Sequence, residues 1–203
     1  MTRVQTLAET VAEGGIGCDP DFLSAKRAAA MTDDLRYVRW ETSRVVKPAP
    51  GGGHVIADDP IRVSRTANQV WFNAALAKRV DEIEERISRD FATPRSHLES
   101  WQAVQYGPGG KFETHLDGGT FRDEPAGERV LTLLLILEAP ESGGETYFPE
   151  LDLLVEPTAG KLVVWNNLLA DGSLDRRFLH AATPVRAGRK TILTTWSRER
   201  PVR

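Results

Sequence analysis

Residues 98–138 read LESWQAVQYGPGGKFETHLDGGTFRDEPAGERVLTLLLILE. Three runs rich in strand-forming residues, 98–106, 111–117 and 129–138, are broken by Pro108-Gly109-Gly110 and by a Gly- and Pro-containing stretch ahead of Glu128, the residues that tight turns need. The same texture continues in shorter runs at 145–148, 151–156, 161–166, 178–185 and 189–197, punctuated by Pro140, Gly143-Gly144, Pro157, Gly160, Gly172 and Gly188. About eight short strands at close spacing predict two packed sheets of the jelly-roll kind, a double-stranded β-helix.

The residues before this block carry helical signals instead. Asp19-Pro20-Asp21 reads as a helix start before 22–31, where Ala, Lys and Arg dominate. From 73 to 91, Leu76, Val80, Ile83, Ile87 and Phe91 recur at steps of four and three, while Lys78, Asp81, Glu84, Glu85 and Arg89 fall on other faces. That is the pattern of a helix covering an apolar surface. Between the two, 37–46 alternates Val38 and Trp40 with charged residues and predicts a strand. The stretch 47–59 contains PAPGGG and predicts a long loop, which suits either a lid or disorder. The class is therefore α+β in one domain, with helical support over about 19–96 and a jelly-roll core over about 97–199.

A chain of 203 residues is long enough to bury a sizeable core. Its 40% hydrophobic and 27% charged residues match ordinary globular usage and argue against disorder. Lys plus Arg number 26 against 29 Asp plus Glu, a net charge of −3. No bulk basic field results, so neither nucleic acid nor an anionic membrane is expected as a partner. Cys18 is the only cysteine, which excludes an intramolecular disulfide and a cysteine-based structural zinc site and fits a reducing compartment. Residues 1–17 lack the continuous apolar block of a signal peptide, and the longest strongly apolar run, 130–137, is too short for a membrane span. A soluble, cytoplasmic protein is expected, of unknown oligomeric state.

His115 and Asp117 stand two apart in a predicted strand. Side chains alternate faces there with a rise of ~3.3 Å per residue, so both point the same way and reach one ion. His180 opens a later run. If the sheets bring it opposite the first pair, two imidazoles and one carboxylate occupy one face of a metal, the facial set of non-haem Fe(II) sites. A His-x-Asp pair by itself is as readily a strand with a solvated carboxylate. Lys190 adds a second signal, because it stands among Ile192, Leu193 and Trp196, where a lone ammonium is costly without an anion. It either snorkels to water or anchors the carboxylate of a bidentate cosubstrate held at the metal.

Six blocks, YGPGGKFETHLD (106–117), ERVLTLLLIL (128–137), GGETYFP (143–149), GKLVVWNN (160–167), DGSLDRRFLHAATPV (171–185) and GRKTILTTWSRE (188–199), follow one another in this order. They resemble the successive blocks of the prolyl 4-hydroxylase catalytic domain, a family of Fe(II)- and 2-oxoglutarate-dependent dioxygenases. The likeness is close over 97–199 and looser from about residue 20. It implies that His115, Asp117 and His180 ligate Fe(II) as the catalytic centre and that Lys190 pairs with the distal carboxylate of 2-oxoglutarate. Tyr106, Thr132 and Trp196 match the wall of the cosubstrate pocket. On the substrate side the resemblance points to Arg65 in VSRT, Glu99, Phe112 and Arg129, each with packing or a solvated surface charge as its alternative. The resemblance further implies O2 as the oxidant, release of succinate and CO2, and ascorbate as a reductant. Two departures bear on the substrate: Ala67 stands where peptide-processing relatives tend to carry serine, and 47–59 has no firm counterpart.

The carboxylate of Asp117 points to hydroxylation, since halogenating relatives leave that position without a ligand. The expected target is an unactivated C–H bond of a prolyl residue in a peptide or protein. The nearest alternative keeps the chemistry on a free amino acid or another small metabolite, whose charged ends the arginines and Glu99 suit equally. A non-catalytic jelly roll that binds a metal or sugar would not need Lys190, and a zinc hydrolase would use the same three ligands.

Overall fold

In a computed structural model that describes residues 6–51 and 53–203, Arg129–Glu138 runs through a seven-stranded antiparallel sheet. Its neighbours are Leu162–Asn166 on one side and Lys190–Arg198 on the other. Leu131, Leu133, Leu135 and Leu137 share one apolar cluster with the helices, whereas Leu134 and Ile136 belong to a second cluster between the sheets. A strand buried on both faces has no polar side to show, which is why 130–137 reads as an almost unbroken apolar run. The full order of this sheet is Gly17–Asp19, Leu162–Asn166, Arg129–Glu138, Lys190–Arg198, Gln102–Tyr106, Arg65–Asn68 and Glu41–Thr42.

A five-stranded antiparallel sheet packs against it, in the order Leu153–Val155, Thr146–Phe148, His180–Ala182, Lys111–His115 and Arg62–Val63. Phe148, Val155 and Phe178 meet Val104, Val163, Trp165 and Ile192 of the larger sheet in the inter-sheet core. The jelly-roll expectation stands.

The outer face of the large sheet is covered by two helices. Asn73 caps Ala74–Asp90 by accepting the Leu76 N–H (2.9 Å), and Leu76, Val80, Ile83 and Ile87 are all buried. Removing side chains of this size from water contributes roughly 2 kcal/mol each. On the same helix the buried Glu84 accepts from Trp101 Nε1 (3.1 Å), Arg95 Nη2 (3.1 Å) and Arg203 Nη2 (2.6 Å), so its burial is matched by hydrogen bonds.

Residues before 97 hold more strand than their sequence suggests. Asp19-Pro20-Asp21 does not start a helix: Gly17–Asp19 pairs with Leu162–Asn166, and the Leu23 N–H donates to the Gly160 carbonyl (3.0 Å). The helix opens only at Ala25, behind Ser24, whose hydroxyl accepts the Arg27 N–H (3.3 Å). The predicted strand 37–46 is interrupted, because Leu35–Tyr37 is a 3-10 turn closed by Trp40 Nε1 donating to the Leu35 carbonyl (3.2 Å). Only Glu41–Thr42 and the chain from Val45 are extended. The predicted loop 47–59 is a β-hairpin in which Val45–Pro48 pairs with His54–Ala57 and Lys47 pairs with Asp59. PAPGGG supplies its turn, of which Gly52 lies outside the described residues.

The run 178–185 is also divided. A 3-10 turn, Arg176–Phe178, precedes His180–Ala182, and beyond Pro184, which has no N–H for a ladder, Val185–Ala187 pairs with Ser142–Gly143. Gly143 has φ +76° with the Pro184 carbonyl oxygen where a Cβ would sit, so both its backbone and its neighbour demand glycine.

Candidate functional site

His180 and His115 are direct cross-strand partners in the smaller sheet, and the register shifts by one residue before Ala182 meets Phe112. His115 closes its strand and His180 opens the facing one. Asp117 lies just past the strand end and not within it, yet it turns back to the same point. Its Oδ1 is 3.9 Å from His115 Nε2 and its Oδ2 is 3.7 Å from His180 Nε2. One donor atom from each of the three residues lies within 4.8 Å of the others.

The hydrogen bonds decide which atoms face the centre. His115 Nδ1 is 2.7 Å from the Glu113 carbonyl oxygen and His180 Nδ1 is 2.9 Å from that of Phe178. A carbonyl only accepts, so each Nδ1 carries the hydrogen and each Nε2 offers its lone pair inward. Burial, aided by the neighbouring His180, pushes His115 down to about 3, which keeps the ring neutral at physiological pH. Burial alone would raise Asp117, but its electrostatic coupling to the facing His180 and His115, the Arg129 guanidinium and the Thr132 hydrogen bond hold it below the ordinary carboxylate value. Two imidazole Nε2 atoms facing inward beside an ionised carboxylate are a donor set for a divalent ion.

Lys190 begins the strand Lys190–Arg198 opposite Tyr106, while Trp196 lies opposite Thr132. With a period of two, Lys190, Ile192, Thr194 and Trp196 all line one cavity of about 60 Å³, together with Tyr106, Thr132 and the three metal-ligating candidates. Lys190 is 1% exposed, and among the described residues no carboxylate forms an ion pair with it. Burial pushes its ammonium down to about 8, with Glu145 offsetting part of the effect. Burial also raises the Tyr106 phenol above its usual value. The indole N–H groups of Trp165 and Trp196, both lining the cavity, have no acceptor among the described residues. A buried cation and two unanswered donors beside a metal set complement an anionic, oxygen-rich guest such as a dicarboxylate.

The other expected residues fall into three groups. Thr132 Oγ1 donates to Asp117 Oδ2 (2.8 Å) and accepts from Asn167 Nδ2 (3.0 Å), so it orients the carboxylate while lining the cavity. Phe112 stacks on the His115 ring, with centroids 3.6 Å apart, and Arg129 lies 3.6 Å over the Trp196 ring. Both line an outer cleft of about 310 Å³ that opens onto His115 and Asp117. Glu99 lines neither space; it is held by Arg129 through two bonds (2.8 and 2.7 Å) and by Arg198 (3.0 Å). Arg65 lies elsewhere, 5.9 Å from the Trp40 ring in a separate depression shared with Arg36 and Arg189.

Arg62 is the residue that sequence reasoning missed. It lines both cleft and cavity, lies 4.8 Å over the Phe112 ring and donates to Ser64 Oγ (3.2 Å) and to the Arg44 carbonyl (3.1 Å). Arg62 and Arg65 stand three apart in IRVSRT but on strands of different sheets, and nothing in the sequence pattern says which of them meets the cleft. His54 and His97 stand outside the metal set, against Glu124 (3.2 Å) and the Arg198 carbonyl (3.0 Å).

Fold and site together define a class, a double-stranded β-helix carrying two histidines and one carboxylate at a metal position. The sequence model described as the 2OG-Fe(II) oxygenase superfamily matches residues 101–198, which contain all three, and this region belongs to that superfamily. It is 32% identical over 173 residues to prolyl 4-hydroxylase subunit alpha-1 of Mus musculus, covering 82% of this chain and 31% of the relative. The chain thus spans about a third of the length of that curated relative. Among solved structures, the viral collagen prolyl hydroxylase vCPH from Paramecium Bursaria Chlorella virus-1 superposes with a TM-score of 0.64 at 22% identity, covering 98% of this chain and 94% of the other. A prolyl hydroxylase from Trichoplax adhaerens, in complex with a hypoxia inducible factor oxygen degradation domain peptide fragment, superposes with a TM-score of 0.63 at 16% identity, covering 96% and 88%. Both share the fold. Among the described residues no helix is long and apolar enough to cross a membrane.

Proposed function

We propose that this domain is an Fe(II)- and 2-oxoglutarate-dependent dioxygenase that hydroxylates a prolyl residue in a peptide or protein and releases succinate and CO2. One observation carries the reading: Lys190, a buried ammonium with no carboxylate partner among the described residues, shares a cavity with His115, Asp117 and His180. A metal alone has no use for that cation, whereas a dicarboxylate cosubstrate does. When bound, Fe(II) with 2-oxoglutarate and O2 supplies the oxidising power and the inserted oxygen atom.

The residues of the chain do the binding and orienting. His115 and His180 offer Nε2, and the Thr132 hydroxyl engages Asp117 Oδ2, leaving Oδ1 to the metal. Lys190 takes the distal carboxylate, while the walls formed by Val104, Leu134 and Ile192 exclude water from it. Phe112, Arg62 and Arg129 line the outer cleft in which the target C–H bond is held toward the metal. Arg129 also donates to the Asp117 carbonyl (3.4 Å), and Glu99 acts through Arg129 as a positioning residue.

A peptide is favoured over a free amino acid because the cleft extends past the metal position between the Val45–Pro48 hairpin strand and Thr66, Asn68 and Gln102, more length than a single residue fills. The prolyl hydroxylase relatives support the same choice. A cytoplasmic location fits the single, exposed Cys18, and ascorbate is the proposed reductant.

Anaerobic addition of Fe(II) and 2-oxoglutarate should produce a weak metal-to-ligand charge-transfer band, and folded protein without that band would overturn the dioxygenase reading. Succinate formation with proline-containing peptides beside a panel of free amino acids decides the substrate class. Stimulation by free amino acids alone would reverse the choice.

A further inference from the structure

We infer that Arg44 makes the cleft select peptides bearing an acidic side chain close to the reacting residue, an inference that rests on the peptide-hydroxylase reading. Charged side chains lining the cleft are Arg44, Lys47, Arg62 and Arg129 against Glu41 and Asp117. Lys47 is neutralised by Asp59, Arg129 by Glu99 and Glu41 by Arg39. Asp117 belongs to the metal set, where a dication outweighs it. The cleft therefore holds two uncompensated arginines in a chain whose net charge is −3.

The two differ in freedom. Arg62 is committed to Ser64, to the Arg44 carbonyl and to the face of Phe112. Its bond to that carbonyl (3.1 Å) also fastens the Arg44 main chain to the cleft wall. Arg44 itself is exposed, and its guanidinium makes no ion pair or hydrogen bond among the described residues. A guanidinium fork matches a carboxylate in shape and charge. Its neighbours along the cleft, Val45, Val46, Ile56 and Ile61, are apolar and would shield such a pair from water once a peptide lies across them.

The test uses the full chain with Fe(II), 2-oxoglutarate and ascorbate, and peptides in which one Glu, Gln or Lys occupies each position flanking a single proline in turn. Hydroxylation is read by mass spectrometry, and affinity by fluorescence anisotropy of the same peptides with Mn(II) and 2-oxoglutarate. At one or more positions Glu should exceed Gln by about fivefold in both readouts, and Lys should fall below Gln. The preference should fade as salt is raised. Arg44→Ala should erase it, and Arg44→Glu should reverse the order, a gain that a misfolded variant cannot produce. Equal performance of Glu and Gln at every position, or a Glu preference intact in Arg44→Ala, would overturn the inference. If no peptide is hydroxylated the prolyl reading fails, while the anisotropy order still decides the charge preference.

Discussion

Replacing Lys190 by Met should stabilise the fold while abolishing cosubstrate binding. The side chain is 1% exposed, and its ammonium titrates at about 8 where an ordinary lysine titrates at 10.5. At about 1.36 kcal/mol per pH unit, that gap means that keeping the buried amine protonated costs about 3 kcal/mol of folding free energy at neutral pH. The sign follows from proton counting. Between pH 8 and 10.5 the unfolded chain binds a proton that the folded chain has released, so stability rises with pH across that window and the full cost applies below it. Methionine fills a similar volume without charge. In a domain of this size 1 kcal/mol moves Tm by ~2–4 °C, so the ligand-free variant should melt about 6 °C or more above ligand-free wild type at pH 7. The difference should shrink toward pH 10. With metal present in both, 2-oxoglutarate should raise Tm of the wild type further and add nothing to that of the variant, whose three metal-ligating candidates are unchanged. Circular-dichroism melting across this pH range reads all three effects. A variant that melts below wild type throughout, or whose Tm still climbs with 2-oxoglutarate, would refute a charged, unpartnered ammonium in this cavity.

Titration calorimetry should find 2-oxoglutarate affinity flat up to about pH 8 and about tenfold weaker per unit above it, because only the protonated amine pairs with the carboxylate; a flat profile through pH 9.5 would count against Lys190 as the anchor. Asn167→Leu removes the donor that orients Thr132 toward Asp117, so Mn(II) affinity measured by electron paramagnetic resonance should fall roughly tenfold or more. Unchanged affinity would show that the carboxylate holds its position without Asn167. Glu84→Leu strips the acceptor from Trp101, Arg95 and Arg203 and should cost about 2–3 kcal/mol in urea unfolding. A loss below about 1 kcal/mol would mean that those donors find water instead.

The legible parts of this fold are those whose signal is local. The Ala74–Asp90 helix is visible because its buried residues repeat at helical steps, and Arg129–Glu138 because burial on both faces leaves one apolar run. His115 and Asp117 could be paired from spacing alone, although Asp117 reaches the centre from beyond the strand end. What escaped depends on distant partners. Gly17–Asp19 is a strand only because Leu162–Asn166 lies beside it. The Val45–Pro48 and His54–Ala57 hairpin is masked by the Pro- and Gly-rich composition of its own turn. Arg62 escaped because the chain leaves the small sheet after Val63 and enters the large one at Arg65, and alternation cannot be counted across such a switch.

The hydrogen bonds behind the three metal-ligating candidates are of two kinds, with a consequence for how the site can evolve. His115 and His180 are each aimed by the carbonyl of the residue two places upstream. No substitution elsewhere in the gene deletes a main-chain carbonyl, so the aim of both imidazoles is inherited with the strands themselves. Asp117 is aimed by Thr132 and Asn167, side chains that separate codons supply and that single mutations remove. The carboxylate arm is therefore the mutable one. A library seeking a different metal or an extra open coordination position has its leverage at 117, 132 and 167, while 115 and 180 form the invariant frame around which such variants are built.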